Sequence, residues 1–509
     1  MIESSDGSFN DRLPGVDPSQ GGYPGRRRAK EYPSSDPLWG IETRGIEPVP
    51  ASDRHGRAVE LFWLWCGANV AVISVVYGAI LAIMGLNLWQ AALVALIGTA
   101  LSFFLVGVLS VSGKKRGTPA LIISRAVFGR WGNIPPTLIS WINLLGWETI
   151  NTIIVAYALA ELARITLHLP TSALLELACT FVACILALVL SVLGHATLAW
   201  IQRVVTILFG GMTLVLLPFL LTEVNWHAVV TKSPAPFASV LGAISIVGAA
   251  TGISWVNVAA DYSRYLPRSE RSGSVIGWTT AGATFPVFLL IAVGFLVSTK
   301  VNGLATSTNP VGVLRTALPA WLSIPYLLTA VGGLLAETVL GLYSSGLNLL
   351  ALGVKVKRYK TVFVDASVMT LGSAYVLLIS HSFVAPFESF LELLADGLAP
   401  WAAILVVDLL VRRSYDVQIL DGANRQFQGS YSYRSGINWA GLISWLVGVL
   451  LGLCFTVSPW FAGPFAKGVF ARSSLGYFIA LLAAGVVYGL YSVKDKPGAS
   501  AHLAFEPAE

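Results

Sequence analysis

Apolar residues run along this chain in long unbroken stretches, with neither strict alternation nor a heptad spacing. Leu174–Leu193 and Ala243–Ala250 show the pattern. A membrane barrel would need alternating segments of roughly ten residues, whereas about 20 continuous apolar residues make a helix that crosses a bilayer. Hydropathy predicts spans at 58–84, 88–111, 132–165, 172–194, 199–222, 237–260, 274–298, 319–352, 361–380, 384–411, 437–458 and 473–493. The predicted fold class is an all-α polytopic membrane protein with 12 transmembrane helices, numbered 1 to 12 below. An even number of spans puts both ends of the chain on one side.

Composition sharpens this. Charged residues make up 12% of the 509 residues, hydrophobic ones 55%, and the mean hydropathy is +0.71. Soluble domains carry about 25% charged residues, so a soluble multi-domain enzyme is excluded. Positive charge divides unevenly between the two sides: 27 of the 33 Lys and Arg fall on the side of the N-terminus. Cytoplasmic segments carry such an excess, which predicts cytoplasmic N- and C-termini. Lys114-Lys115-Arg116 and the Lys355–Lys360 cluster read as anchors to anionic lipid of the inner leaflet, not as a nucleic-acid surface. Residues 1–57 are polar, rich in Pro, Gly and Ser, and lack the apolar core of a secretory signal; they read as a disordered cytoplasmic tail, as do residues 494–509. Cys66, Cys179, Cys184 and Cys454 sit in apolar stretches without paired spacing, and six scattered histidines form no HExxH. Neither pattern predicts a metal or a cofactor.

Span 1 contains Trp65-Cys-Gly67-Ala-Asn69-Val-Ala and span 6 contains Ile253-Ser-Trp255-Val-Asn257-Val-Ala. Aligned on Asn69 and Asn257, the two lie five spans apart, and an odd separation is the signature of an inverted repeat in secondary transporters. The predicted domains are therefore a first repeat over 58–222, a second over 237–411, and spans 11 and 12 over 437–493. Small and polar residues in mid-span have two readings. They allow the helix to unwind and bind a solute, or they let helices approach closely.

Polar groups in the hydrocarbon region cost several kcal/mol unless they meet a partner or a cavity. Span 3 carries Trp147, Glu148 and Asn151. Trp147 and Asn151 share a face at i, i+4, while Glu148 points about 100° away. An indole beside a carboxamide suits a planar heteroaromatic solute: the ring stacks, and the amide donates and accepts in one plane. An interfacial-belt tryptophan is the alternative for Trp147. Trp255 is a second mid-membrane indole. Glu337 and Thr338 lie mid-span in span 8; Glu337 reads as a proton carrier, as a partner for a ring N–H, or as half of a structural pair. Asp261 is expected to pair locally with Arg264. Glu388, Glu392 and Asp396 form an i, i+4, i+8 stripe that lines a water path or makes salt bridges.

Four stretches together resemble the nucleobase:cation symporter-1 family, purine–cytosine permease branch. They are Gly45-Ile-Glu47-Pro-Val-Pro50-Ala-Ser-Asp-Arg54, Trp65-Cys-Gly-Ala-Asn69, Gly117–Gly129 followed by Gly146-Trp147…Asn151, and Ala260-Asp261-Tyr-Ser-Arg264-Tyr-Leu-Pro267. The resemblance implies a LeuT-type 5+5 inverted repeat plus two peripheral helices, working by alternating access. It implies substrate contact at Trp147, Asn151 and Trp255, a polar position on span 8 at Glu337 that completes the pocket, and a span 1 break at Gly67 and Asn69, which are expected to contact the substrate as well. It further implies a co-transported H+ or Na+, with Glu337 and Thr338 as coupling residues. Fungal members have Asn where Glu337 stands and Pro-Asn near Leu340-Gly341.

The expected function is secondary active import of a purine- or cytosine-like heterocycle across the plasma membrane, with no catalytic residue, cofactor or nucleic-acid partner. Another ring such as hydantoin, allantoin or a pyridine vitamin is the alternative within the family. A passive channel and an intramembrane hydrolase built on Ser344-Ser345-Gly346 with His381 are the rivals from other classes.

Overall fold

A computed structural model describes residues 38–42, 44–380, 384–412, 415, 420, 431, 433 and 435–494. Its helices fall on the predicted apolar stretches. Among the described residues, nine are long and apolar enough to cross a membrane: Leu88–Arg116, Ile134–Leu167, Ala173–Val192, His195–Thr222, Phe237–Ser263, Ser272–Val297, Ala320–Ala351, Arg358–Ile379 and Ser389–Val411, which are spans 2 to 10. Span 1 is a bent pair, Glu60–Asn69 and Ile73–Ile83, at 63°. The last two stretches hold shorter helices, Trp439–Phe455 and Gly476–Ser492. A two-stranded hairpin, Val457–Ser458 with Phe461–Ala462, lies between them.

Local chemistry sets the ends. Asn87 and Gln90 form a reciprocal capping box at the start of span 2, with bonds of 2.9 and 3.2 Å, satisfying two otherwise orphaned N–H groups. The span stops at Gly117, whose φ of 69° is left-handed, just after Lys114, Lys115 and Arg116. Positive charge there complements the helix dipole.

Spans 1 and 6 both break where small polar residues interrupt the apolar run. In span 1, Asn69 donates from Nδ2 to the Trp65 carbonyl at 2.8 Å, just before the bend. In span 6, a wide turn over Ala249–Ile253 puts Thr251 at φ −113°, ψ −110°, and a tight turn follows at Val256–Val258. Unwound backbone inside a membrane needs partners, and Ser102 of span 2 supplies one. Its Oγ accepts from the Gly252 N–H at 3.1 Å and lies 3.1 Å from the Thr251 hydroxyl. Gly252 permits this approach, because a Cβ there would lie 2.2 Å from the Ser102 carbonyl carbon.

Spans related by the repeat also pack together, 2 along 7 and 3 along 8. Spans 1 and 7 interlock through reciprocal glycines: a Cβ on Gly78 would lie 2.0 Å from the Ile291 carbonyl oxygen, and one on Gly294 1.9 Å from that of Val75. Small residues at helix crossings replace the hydrophobic drive that lipid removes. Span 8 is 83% buried along its apolar window and span 6 is 67%, against 22% for spans 4 and 5. Spans 8, 6 and 10, the last also 67% buried, therefore lie deepest in the bundle, and spans 4 and 5 are the most exposed. The fold is an all-α LeuT-type 5+5 inverted repeat.

Residues 38–57 were expected within a disordered tail, but they dock on the bundle. The Gly40 carbonyl accepts from Gly194 N–H at 3.0 Å and Ile41 bridges Leu193. Glu42 is buried, accepts from the Tyr265 hydroxyl, and lies 3.4 Å from the Arg264 guanidinium and 3.9 Å from that of Arg358. Two arginines buried at the ends of spans 6 and 9 need a counter-charge, and this segment provides it. The expected Asp261–Arg264 pair gives way to that arrangement. Arg264 also donates to the Gly45 carbonyl at 2.8 Å, while Asp261 accepts from the Ala120 N–H at 3.1 Å. The rest of the expected tails, residues 1–37 and 495–509, lies outside the described residues.

Candidate substrate site

Span 3 supplies one wall of the site and also its scaffold. Asn143 donates from Nδ2 to the Ser254 carbonyl at 2.9 Å, tying span 3 to the unwound part of span 6. One turn earlier, Ser140 Oγ accepts from the carboxamides of Asn257 on span 6 and Asn348 on span 8, each at 2.7 Å. The break in span 6 is thereby pinned to two long helices.

Above this knot a small cavity opens between spans 3, 6 and 8. Trp147, Glu148 and Asn151 line it from span 3, Ser254 and Trp255 from span 6, and Glu337 and Thr338 from span 8. Trp255 is held edge-on by Trp65 of span 1, with ring centroids 5.4 Å apart, and Trp147 meets the edge of Phe390 at 6.5 Å. Asn151 is 1% exposed, and apart from the Glu337 carboxyl neither its oxygen nor its nitrogen has a hydrogen-bond partner. It sits beside the Glu337 carboxyl. A buried amide left unsatisfied costs about 1–3 kcal/mol, a cost that a ligand's donor–acceptor edge would relieve. The free volume is only about 10 Å³, close to the minimum for one water molecule. A planar ring does not fit in this volume.

The cavity thus joins Trp147, Asn151, Trp255, Glu337 and Thr338, residues that lie far apart in the sequence. The Thr338 hydroxyl is committed as a donor to the Leu334 carbonyl at 2.8 Å. Gly67 and Asn69 lie outside the lining. Gly67 packs on span 5, where a Cβ would lie 2.5 Å from the Gln202 carbonyl oxygen, and Asn69 caps the first half of span 1. Glu148, expected to point away from the Trp147–Asn151 face, lines the same cavity, because Leu144, Glu148 and Asn151 also share a stripe at i, i+4, i+7. Sequence reasoning missed Ser140 and Asn143, although both precede Trp147 at helical spacing on span 3.

The remaining candidates resolve separately. Asp396 of the acidic stripe accepts from the Thr456 hydroxyl at 2.6 Å, and the Glu388 side chain lies outside the described residues. Ser344 donates to the Tyr262 hydroxyl at 3.0 Å, while His381, its proposed base, also lies outside them. A larger cavity of about 430 Å³, lined by Arg125, Arg130, Lys355, Lys357 and Arg358 among others, opens at the ends of the spans. It has none of the facing indoles of the buried site.

Outside the chain itself, residues 48–480 match the family model described as permease for cytosine/purines, uracil, thiamine, allantoin. YxlA of Bacillus subtilis, provisionally named a purine-cytosine permease, is 26% identical over 459 residues, covering 88% of this chain and 95% of its own. The Saccharomyces cerevisiae purine-cytosine permease FCY2 is 24% identical over 458 residues, 82% of this chain and 79% of its own. Among solved structures, Mhp1, a nucleobase-cation-symport-1 family transporter in a closed conformation with bromovinylhydantoin bound, superposes with a TM-score of 0.71 at 18% identity, covering 90% of this chain and 97% of Mhp1. These relatives are permeases and transporters, not enzymes. With most of its length matched, the chain belongs to the cytosine/purine permease family of nucleobase–cation symporters, and is a multi-pass membrane transporter.

Proposed function

We propose that this transporter imports a nucleobase-like planar heterocycle, driven by a co-transported proton. The observation that carries the reading is the buried Asn151 carboxamide, with no partner but the Glu337 carboxyl beside it, in a cavity that Trp147 and Trp255 both line. The indoles stack on a flat ring, contributing about 1–3 kcal/mol each. Asn151 reads the ring's donor–acceptor edge, and Glu337 takes a ring N–H or delivers the proton. The names of the relatives, purine-cytosine permeases, agree with such a solute. The hydantoin bound to Mhp1 favours a second reading, a smaller ring of the hydantoin or allantoin type.

Protons fit the site better than sodium. Glu337 and Glu148 both present carboxyls to the cavity, and either can carry a proton. We assign the protein to the plasma membrane with both termini cytoplasmic, from the 27 of 33 basic residues on that side.

Uptake of radiolabelled cytosine, adenine, hypoxanthine, uracil, allantoin and a hydantoin by cells expressing the protein tests this. Accumulation abolished by a protonophore and indifferent to sodium is expected. Sodium-dependent accumulation would refute the proton, and no uptake of any of the six would refute the substrate class.

A further inference from the structure

Behind the cavity lies a second group of acids that substrate binding does not explain. Glu148 is 1% exposed, and neither of its carboxyl oxygens has a hydrogen-bond partner. Asp365 of span 9 is wholly buried and docks on span 3 two turns from Glu148, on the stripe that Trp141 and Glu148 share at i, i+7. Its Oδ1 accepts from the Trp141 indole N–H at 2.8 Å, while Oδ2 has no partner. The Ser345 hydroxyl of span 8 is fully buried and faces Asp365.

The three helices are shaped around this spot. On span 8, a Cβ at Gly341 would lie 3.3 Å from Glu148 Oε1. Spans 8 and 9 close at Gly346, where a Cβ would lie 2.5 Å from the Thr361 hydroxyl. Spans 3 and 9 close through Ser373, which donates to the Thr149 carbonyl at 3.3 Å. Among the described residues, no Lys, Arg or His forms an ion pair with either acid. The remaining group that faces the pair is Tyr262 of span 6. Its hydroxyl donates to the Leu340 carbonyl at 2.9 Å. Span 4, packed on the far side, turns its one carboxyl, Glu176, toward Tyr157.

Two adjacent carboxyls in a low-dielectric site without a cation cannot both be ionised. The oxygens that remain, two on Glu148, one on Asp365 and the Ser345 hydroxyl, are too few for the six or so ligands of a hard cation. We propose that Glu148 and Asp365 form a proton-sharing carboxyl pair that receives the coupling proton from the substrate cavity. The inference rests on the proton-coupled reading given above. In the step itself the O–H bond at Glu337 breaks and one forms at Glu148, directly or through a single water. Glu337 becomes a carboxylate and the pair gains the proton. Asp365 does not line the cavity, so a change there reports on the proton and not on substrate contact.

Proteoliposomes containing the full-length protein and an internal pH dye test the pair, with labelled cytosine, adenine and hypoxanthine as probes. Wild type is expected to acidify the lumen as base enters. Asp365→Asn and Glu148→Gln are expected to lose at least tenfold in pH-gradient-driven accumulation, and Asp365→Glu to recover it. Base–base exchange, which needs no net proton movement, continues in Asp365→Asn. Proton influx and accumulation at wild-type levels in Asp365→Asn would overturn the pair while leaving proton coupling intact. Base entry without proton influx in wild type would instead overturn the coupled reading, and the pair with it. Trp141→Phe keeps both acids but removes the donor to Asp365, so the pH profile of uptake moves to higher pH; an unmoved profile counts against the pair.

Discussion

Asn143 of span 3 reaches across 2.9 Å to the carbonyl of Ser254, the residue before the Trp255 indole. The bond makes the orientation of one wall of the cavity depend on the other. Trp255 follows an unwound turn of span 6, whose own hydrogen bonds no longer hold it.

Asn143→Ala should therefore weaken substrate binding without touching substrate. A neutral hydrogen bond of this kind contributes about 1 kcal/mol, so KM for uptake is expected to rise about fivefold, with the maximal rate less affected. An unchanged KM would show that the tie does not orient Trp255.

Trp147→Ala and Trp255→Ala each remove one stacking face. At about 1–3 kcal/mol per face, the fall in affinity is roughly 5- to 150-fold. Trp147→Phe keeps a ring and should lose much less. The measurement is a competition curve on membrane-inserted protein, with surface abundance checked in parallel.

Glu337→Gln preserves shape and hydrogen bonding while removing a titratable proton. Uptake by this variant should lose the pH dependence seen in wild type or change its preference among bases. A wild-type profile in both respects would remove Glu337 from the site.

The docked segment before span 1 makes a prediction of its own. Burial pushes the Glu42 carboxyl up, but the guanidiniums of Arg358 and Arg264, the Tyr265 hydroxyl and His195 outweigh it and hold Glu42 below its ordinary value of 4.5. A carboxyl held low in the folded state stabilises that state fully above its unfolded value, and the contribution fades as pH falls through the folded value. The Glu42 contribution to docking should be constant from about pH 5 upward and fade only below about 4.5. Glu42→Ala leaves two buried guanidiniums without their carboxylate, a loss of about 3–5 kcal/mol. Thermal unfolding of detergent-purified protein against pH reads both effects.

Much of the fold was legible in the sequence, because each span's main signal lies within its own residues. Continuous apolar runs marked the helices, and Gly67-Ala68-Asn69 and Gly252–Asn257 marked the two breaks. That Trp147 and Asn151 face one cavity was legible for the same reason, the two being one turn apart on one helix. What was not legible depends on distant partners. Nothing near Glu42 reveals that it neutralises Arg264 and Arg358, so its segment read as tail. Asp365 sits on a span whose hydropathy is ordinary, and only the packing of spans 3, 8 and 9 brings it to Glu148. Gly67, expected as a solute contact beside a break, is not among the residues lining the cavity and packs on the backbone of Gln202.

The most direct measurement is counterflow in proteoliposomes holding the purified protein and preloaded with unlabelled cytosine or hypoxanthine. Labelled base should accumulate transiently inside, be competed by other planar heterocycles, and fail to accumulate in Asn151→Ala protein that is inserted and folded. Absence of counterflow for every base offered, or wild-type counterflow in Asn151→Ala, would contradict a nucleobase site between Trp147 and Trp255.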